Sequence, residues 1–164
     1  MRTHLIRDLF QHLDRDGSLQ VGHCSETETR RFEEMPLPTD VKRVLQRCWP
    51  NRGAEVGGYN LYTPKEILDS DDQPRLLAVG MLQIGFARNG DLLVLCFTED
   101  ECAVGLVSHD ELWEELDGDP KEMYVEVTGS IDEYLWKAAE GRFLPVDFYA
   151  AIELDEMHRE VEGG

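Results

Sequence analysis

Six consecutive apolar residues, Leu92 to Phe97, follow directly on Asn89-Gly90-Asp91. A run this short, bounded by turn residues and apolar at every position, marks a strand covered on both faces. Asn-Gly is the strongest short hairpin signal, because a two-residue type I′ turn needs positive φ at both central positions. Leu76 to Phe86 is therefore expected as the preceding partner strand, broken at Gly80 or Gly85, and Ala103 to Val107 as the following one, across Glu99-Asp100-Glu101. Such a centre requires further layers on each side of a sheet.

Helical patterns supply them. Leu5, Ile6, Leu9, Phe10 and Leu13 recur at helical spacing over residues 3 to 14. Ser25 and Glu28 form a capping box opening a helix to about Glu34. Val41, Val44, Leu45, Cys48 and Trp49 line one face of a third helix, stopped by Pro50, which places Cys48 in the core. Gly53, Gly57 and Gly58 lack the spacing of a phosphate-cradling loop and read as a turn into a short strand at Tyr59 to Tyr62. Thr63-Pro64 with Glu66 gives one helical turn to Leu68, and the acidic loop Asp69 to Asp72 leads to the sheet. Beyond the sheet, Ser108 and Asp110 cap a helix carrying Leu112, Trp113 and Leu116, and Met123, Val125 and Val127 alternate as a strand. Ser130 and Glu133 form a second box, opening a helix with Ile131, Leu135 and Ala138 inward that Gly141 closes. Pro145 to Met157 is read as helical and Glu160 to Gly164 as a frayed acidic tail.

Helices, then an antiparallel meander, then helices make the class α+β, and 164 residues suit one globular domain. Within it, residues 1–24 form an N-terminal helix and loop, 25–144 the core, and 145–164 a C-terminal extension.

Several function classes are excluded on chemistry. Asp14-Arg15-Asp16-Gly17 is not an EF-hand loop, since its glycine comes fourth and not sixth. Cys24, Cys48, Cys96 and Cys102 are scattered, with no Cys-x-x-Cys pair and no histidine at ligand spacing, so they are expected as reduced thiols with no metal and no cofactor. Arg2, Arg7 and Asp8 interrupt the N-terminal apolar residues where an export signal needs continuity. Leu76 to Ala87 falls short of the roughly 20 residues that span a bilayer. A cytoplasmic chain without membrane contact is expected.

The net charge of −18 opposes any groove that must neutralise phosphates, which argues against nucleic acid. Its distribution is more informative. Residues 1–88 carry 12 basic and 13 acidic side chains, whereas residues 89–164 carry 4 and 21. Asn89 to Pro120 alone holds ten carboxylates and no lysine or arginine. A solvated, solubilising surface accounts for such a run as well as a binding face does. Interleaved with apolar strands, however, these groups must be held on a folded face at some cost in mutual repulsion, which a cationic partner would relieve.

The order of these features resembles the SUKH superfamily, bacterial immunity proteins related to fungal cell-wall glucan-synthesis regulators. The resemblance runs from about Ser25 to Gly141. It rests on Leu37-Pro38, the helix Val41 to Trp49, Asn51-Arg52-Gly53, the hairpin Phe86 to Asp91 with Leu92 to Phe97, then Val104 to Val107, His109-Asp110, and the Ser-capped helix Ser130 to Ala139. Arg52-Gly53 replaces the family's double-glycine turn, and Pro145 to Gly164 has no counterpart. The resemblance implies a non-catalytic immunity module that sequesters a toxin. The acidic half fits a basic toxin such as a nuclease, since opposite charge speeds association toward about 10⁸–10⁹ M⁻¹s⁻¹ at low salt.

Contact is expected from Glu99, Asp100 and Glu101 on the strand turn and from Asp110, Glu111, Glu114 and Glu115 on the helix after it. Tyr59, Tyr62 and Trp113 are candidate aromatic anchors, with core packing the plainer expectation for Trp113 and Trp136. A regulatory scaffold holding a cellular protein is the alternative. A hydrolase built on His109-Asp110 is disfavoured, because no nucleophile or oxyanion loop accompanies the pair. Glu99-Asp100-Glu101 with Asp91 likewise lacks the ordered alternation of a cation site.

Overall fold

The computed structural model describes residues 3–14, 17–98, 101–114 and 118–162. Along the chain run α1 (Thr3–Leu13), β1 (Val21–Gly22), α2 (Glu26–Glu34), α3 (Thr39–Arg47), β2 (Trp49–Pro50), β3 (Ala54–Val56), β4 (Tyr59–Leu61), α4 (Pro64–Asp69) and α5 (Gln73–Leu77). They are followed by β5 (Met81–Phe86), β6 (Leu92–Phe97), β7 (Cys102–Val107), α6 (His109–Glu114), β8 (Tyr124–Thr128), α7 (Ile131–Ala139) and α8 (Phe148–Glu162). The fold is α+β. Strands β3 to β8 form one antiparallel meander in chain order, and β1 pairs with β2 as a separate ribbon.

As its unbroken apolar run requires, β6 is central and buried on both faces. Leu93 and Leu95 enter the larger core with Ile6 and Phe10 of α1, Phe32 of α2, Val44 and Leu45 of α3, and Leu135 of α7. Leu92 and Val94 point the other way, into a smaller core with Leu76 of α5 and Leu112 of α6. The predicted capping box at Ser25 and Glu28 is present, and a second one joins Thr63 and Glu66.

Several local expectations are corrected. Leu76 and Leu77 belong to α5, not to a strand: Pro74 suits a helix's first turn, and the strand begins only after Gly80, at φ 79°. The side-chain amide of Gln73 fixes this corner by donating to the carbonyls of Ile67 (2.9 Å) and Gln83 (2.8 Å). The strand is broken by a register shift between Gln83 and Gly85, where a Cβ on Gly85 would stand 2.1 Å from the Asn60 carbonyl oxygen. At the hairpin only Gly90 has positive φ (101°), and its N–H donates to Ala87 O at 3.0 Å. The connection is thus a type I turn closed by a left-handed glycine, not a type I′ turn.

The unexpected β3 pairs with β4 through Gly57-Gly58, so those glycines make a hairpin and not merely a turn into a strand. Trp49 is buried as expected but lies in β2, after α3 has ended. Ser130 caps α7 by accepting from Glu133 N, but the Glu133 carboxylate accepts from Gly129 N–H and leaves the box half-formed. Helix α8 continues to Glu162, into the segment expected to fray, whose last two residues lie outside those described. Among the described residues, no helix is long and apolar enough to cross a membrane.

Candidate functional site

The hairpin before β6 places one carboxylate inside the protein. Asp91 is 1% exposed and accepts four hydrogen bonds. Its Oδ1 takes the His109 backbone N–H (3.2 Å) and ring Nδ1 (2.9 Å), and its Oδ2 takes Asn89 Nδ2 (2.7 Å) and Phe148 N–H (2.9 Å). An ionised carboxylate only accepts, so Nδ1 is the donor. Burial opposes the charge, but the bonds from the His109 ring, Phe148, Asn89 and the His109 backbone together hold its carboxyl below the usual carboxylate range. Asp91 therefore ties the β5–β6 turn to the starts of both α6 and α8. Although it belongs to the acidic run, it contributes nothing to the surface.

Helix α6 buries Leu112 in the smaller core and turns Asp110, Glu111, Trp113 and Glu114 outward. Asp110 and Glu114 are exposed, and Glu111 is half-exposed. Asp110 Oδ1 lies 3.0 Å from His109 Nε2, so the imidazole stands between two carboxylates. Trp113, expected in the core, is instead 63% exposed. It is nonetheless held on two sides: the His109 ring meets it edge-on at 5.6 Å, and the Asp72 carboxylate lies near its indole N–H. Burial, then repulsion from Asp71, raises the Asp72 carboxyl against the opposing pull of Arg75 and of the indole N–H. Below α6, the Arg75 guanidinium donates to the carbonyls of Leu112 (2.5 Å) and Gly118 (2.7 Å), bracing the end of the helix.

The remaining anticipated contacts separate. Glu101 is exposed where β7 begins, whereas α6 follows the far end of β7. Six strand residues span about 17–20 Å, so Glu101 and the helix do not make one patch. Glu99, Asp100 and Glu115 lie outside the described residues. Tyr59 is corrected from anchor to core: β4 alternates, its ring is fully buried, and its hydroxyl donates to the Pro145 carbonyl. Tyr62 is half-buried against Phe86, and its hydroxyl accepts from Gln83 Nε2. Trp136 is also more exposed than expected, lying 4.1 Å beneath the Arg142 guanidinium.

Two contributors escaped the sequence reading. Asp72, which read only as part of a spacer before the sheet, comes beside Trp113 because α5 and α6 share the smaller core, and Asp71 adds its charge next to Asp72. Phe143, Val146 and Tyr149 stand exposed between α7 and along the start of α8. Only the break Gly141 to Pro145 hinted at an irregular, surface-borne segment there.

No family model, no curated protein and no solved structure matches this chain.

Proposed function

We propose that the chain is a non-catalytic protein-binding module whose α6 face captures a basic protein. The observation that carries the proposal is Trp113, a large aromatic held in solvent beside His109 and Asp72 on a helix that also presents Asp110, Glu111 and Glu114. A rigid exposed tryptophan loses little freedom on binding and suits the centre of an interface. A rim of carboxylates gives specificity and association rate toward a cationic partner more than affinity. The SUKH resemblance narrows the partner to a toxin, of which a basic nuclease fits the charge best.

Basic proteins encoded beside the gene are the panel to screen, with association rates measured at rising ionic strength. The expected result is a specific complex whose association rate falls steeply with salt. Trp113→Ala should speed its dissociation, and reversal of Asp110, Glu111 and Glu114 to lysine should slow its formation. A complex unaffected by salt, by the tryptophan and by the charge reversals would place binding elsewhere.

A further inference from the structure

Both ring nitrogens of His109 face carboxylate oxygens. Nδ1 lies 2.9 Å from Asp91 Oδ1, and Nε2 lies 3.0 Å from Asp110 Oδ1. The two carboxylates differ in setting: the side chain of Asp91 is 2% exposed and that of Asp110 is 66% exposed. The imidazole lies over Gly90, where an added Cβ would stand 3.4–3.5 Å from three ring atoms, and it meets Trp113 edge-on. Its inner nitrogen is therefore anchored on the hairpin, while its outer nitrogen reaches the α6 surface.

Few other charges meet at this junction. The hairpin supplies Asp91, and its Arg88 is paired with Glu55 at 3.3 Å. Helix α6 supplies Asp110, with Glu111 and Glu114 further along. The start of α8 donates Phe148 N–H to Asp91 and carries Asp147, whose Oδ1 accepts from Ala150 N–H. Asp72, at the start of α5, approaches from the Trp113 side. Among the described residues, neither Asp91 nor Asp110 has a lysine or arginine partner.

An ionised carboxylate only accepts, so both contacts are hydrogen bonds only when both ring nitrogens carry protons. That form is the imidazolium. A neutral ring has one proton, and Asp91 keeps it, because losing the Nδ1–H would leave a buried acceptor short of a donor. Nε2 then turns a lone pair on the Asp110 carboxylate, with no proton between them. Asp110 is free to swing into solvent, whereas Asp91 is not.

We infer that His109 is a pH latch on α6: protonated, it bridges Asp91 and Asp110 and holds Asp110 inward; neutral, it keeps Asp91 and frees Asp110 for a cationic group on a partner protein. The latch rests on the ring geometry, and its effect on a partner rests on the reading of the α6 face as a docking face. Proton and basic partner then compete, since each favours the form the other disfavours.

The test follows the full-length ¹³C,¹⁵N-labelled chain by NMR from about pH 5 to about pH 8, the range in which an imidazole changes charge. Ring ¹⁵N shifts should show the proton leaving Nε2 while Nδ1 keeps its own, with the Asp110 side-chain resonances moving in step. Pentalysine is the basic probe, and it should bind α6 about two- to fivefold tighter at the upper pH than at the lower. His109→Asn places an amide nitrogen where Nδ1 donates to Asp91 and has nothing to titrate, so it should lose that gain. It keeps the other four histidines, so the difference between the two chains isolates His109. A neutral ring protonated on Nε2, or Asp110 resonances that ignore the His109 titration, overturns the latch without any variant having to fold. A pentalysine gain unchanged in His109→Asn overturns it as well. If the ring and Asp110 titrate together and pentalysine moves no α6 resonance at either pH, the latch stands and the docking reading of α6 falls.

Discussion

Asp91 Oδ1 receives both the backbone N–H and the ring Nδ1 of His109, so one carboxylate oxygen fixes where α6 begins and which way its imidazole faces. Because His109 meets Trp113 edge-on, the buried carboxylate also supports the exposed indole. Stability at the hairpin and orientation at the surface are thereby coupled through three residues.

Replacing Asp91 with alanine leaves the N–H groups of His109 and Phe148 and the Asn89 amide without an acceptor in a buried setting. Urea unfolding should show a loss of about 3 kcal/mol, with Asp91→Asn falling between alanine and the parent because one oxygen remains. A loss below about 0.5 kcal/mol would mean that water replaces the carboxylate.

Acid should act through the same group. A carboxyl held below its unfolded value contributes stability above the unfolded pKa, near 3.9, and loses it as pH falls through the folded value. The urea midpoint of the parent should therefore drop more steeply below about pH 4 than that of Asp91→Asn, which has no proton to gain there. Parallel curves would show that other carboxyls govern acid unfolding.

Trp113 projects from the surface, so Trp113→Phe should change stability by no more than about 0.5 kcal/mol. Trp49 is fully buried against Phe10, with ring centroids 5.4 Å apart, whereas Trp113 is solvated. The parent should show an acrylamide-accessible, red-shifted emission component that shrinks in Trp113→Phe. An unchanged spectrum would return Trp113 to the interior.

A fourth expectation concerns strand contact. A Cβ on Gly105 would stand 2.2 Å from the Tyr124 ring and 2.5 Å from the Val125 carbonyl oxygen. Gly105→Ala must part β7 from β8 or displace the ring, and should cost about 2–3 kcal/mol, read from the thermal midpoint. A neutral outcome would mean that the ring and the β8 backbone both give way at no cost.

Local chemistry made much of this fold legible. The unbroken run Leu92 to Phe97 determined a doubly covered central strand, because no polar position leaves a face for water. Helical spacing determined α1 and α3, and Ser25 with Glu28 determined the start of α2, since an orphan N–H at a helix start has few other acceptors so close in the chain. The Gly57-Gly58 hairpin was written there too, but β3 is only three residues long and gives too little alternation to register.

What the sequence could not specify was which carboxylates meet. Asp91 and Glu101 read alike as members of one acidic run, but a turn buries the first and the length of β7 carries the second away from α6. Of the two candidate anchors Tyr59 and Trp113, strand alternation turned the first inward, while α6 used its buried position for Leu112 and left the second in solvent. Asp72 reached Trp113 across some forty residues of chain only through the shared core of α5 and α6. Charge and apolar content are properties of the sequence, but the position of each charge depends on long-range packing, and only the tertiary structure fixes that.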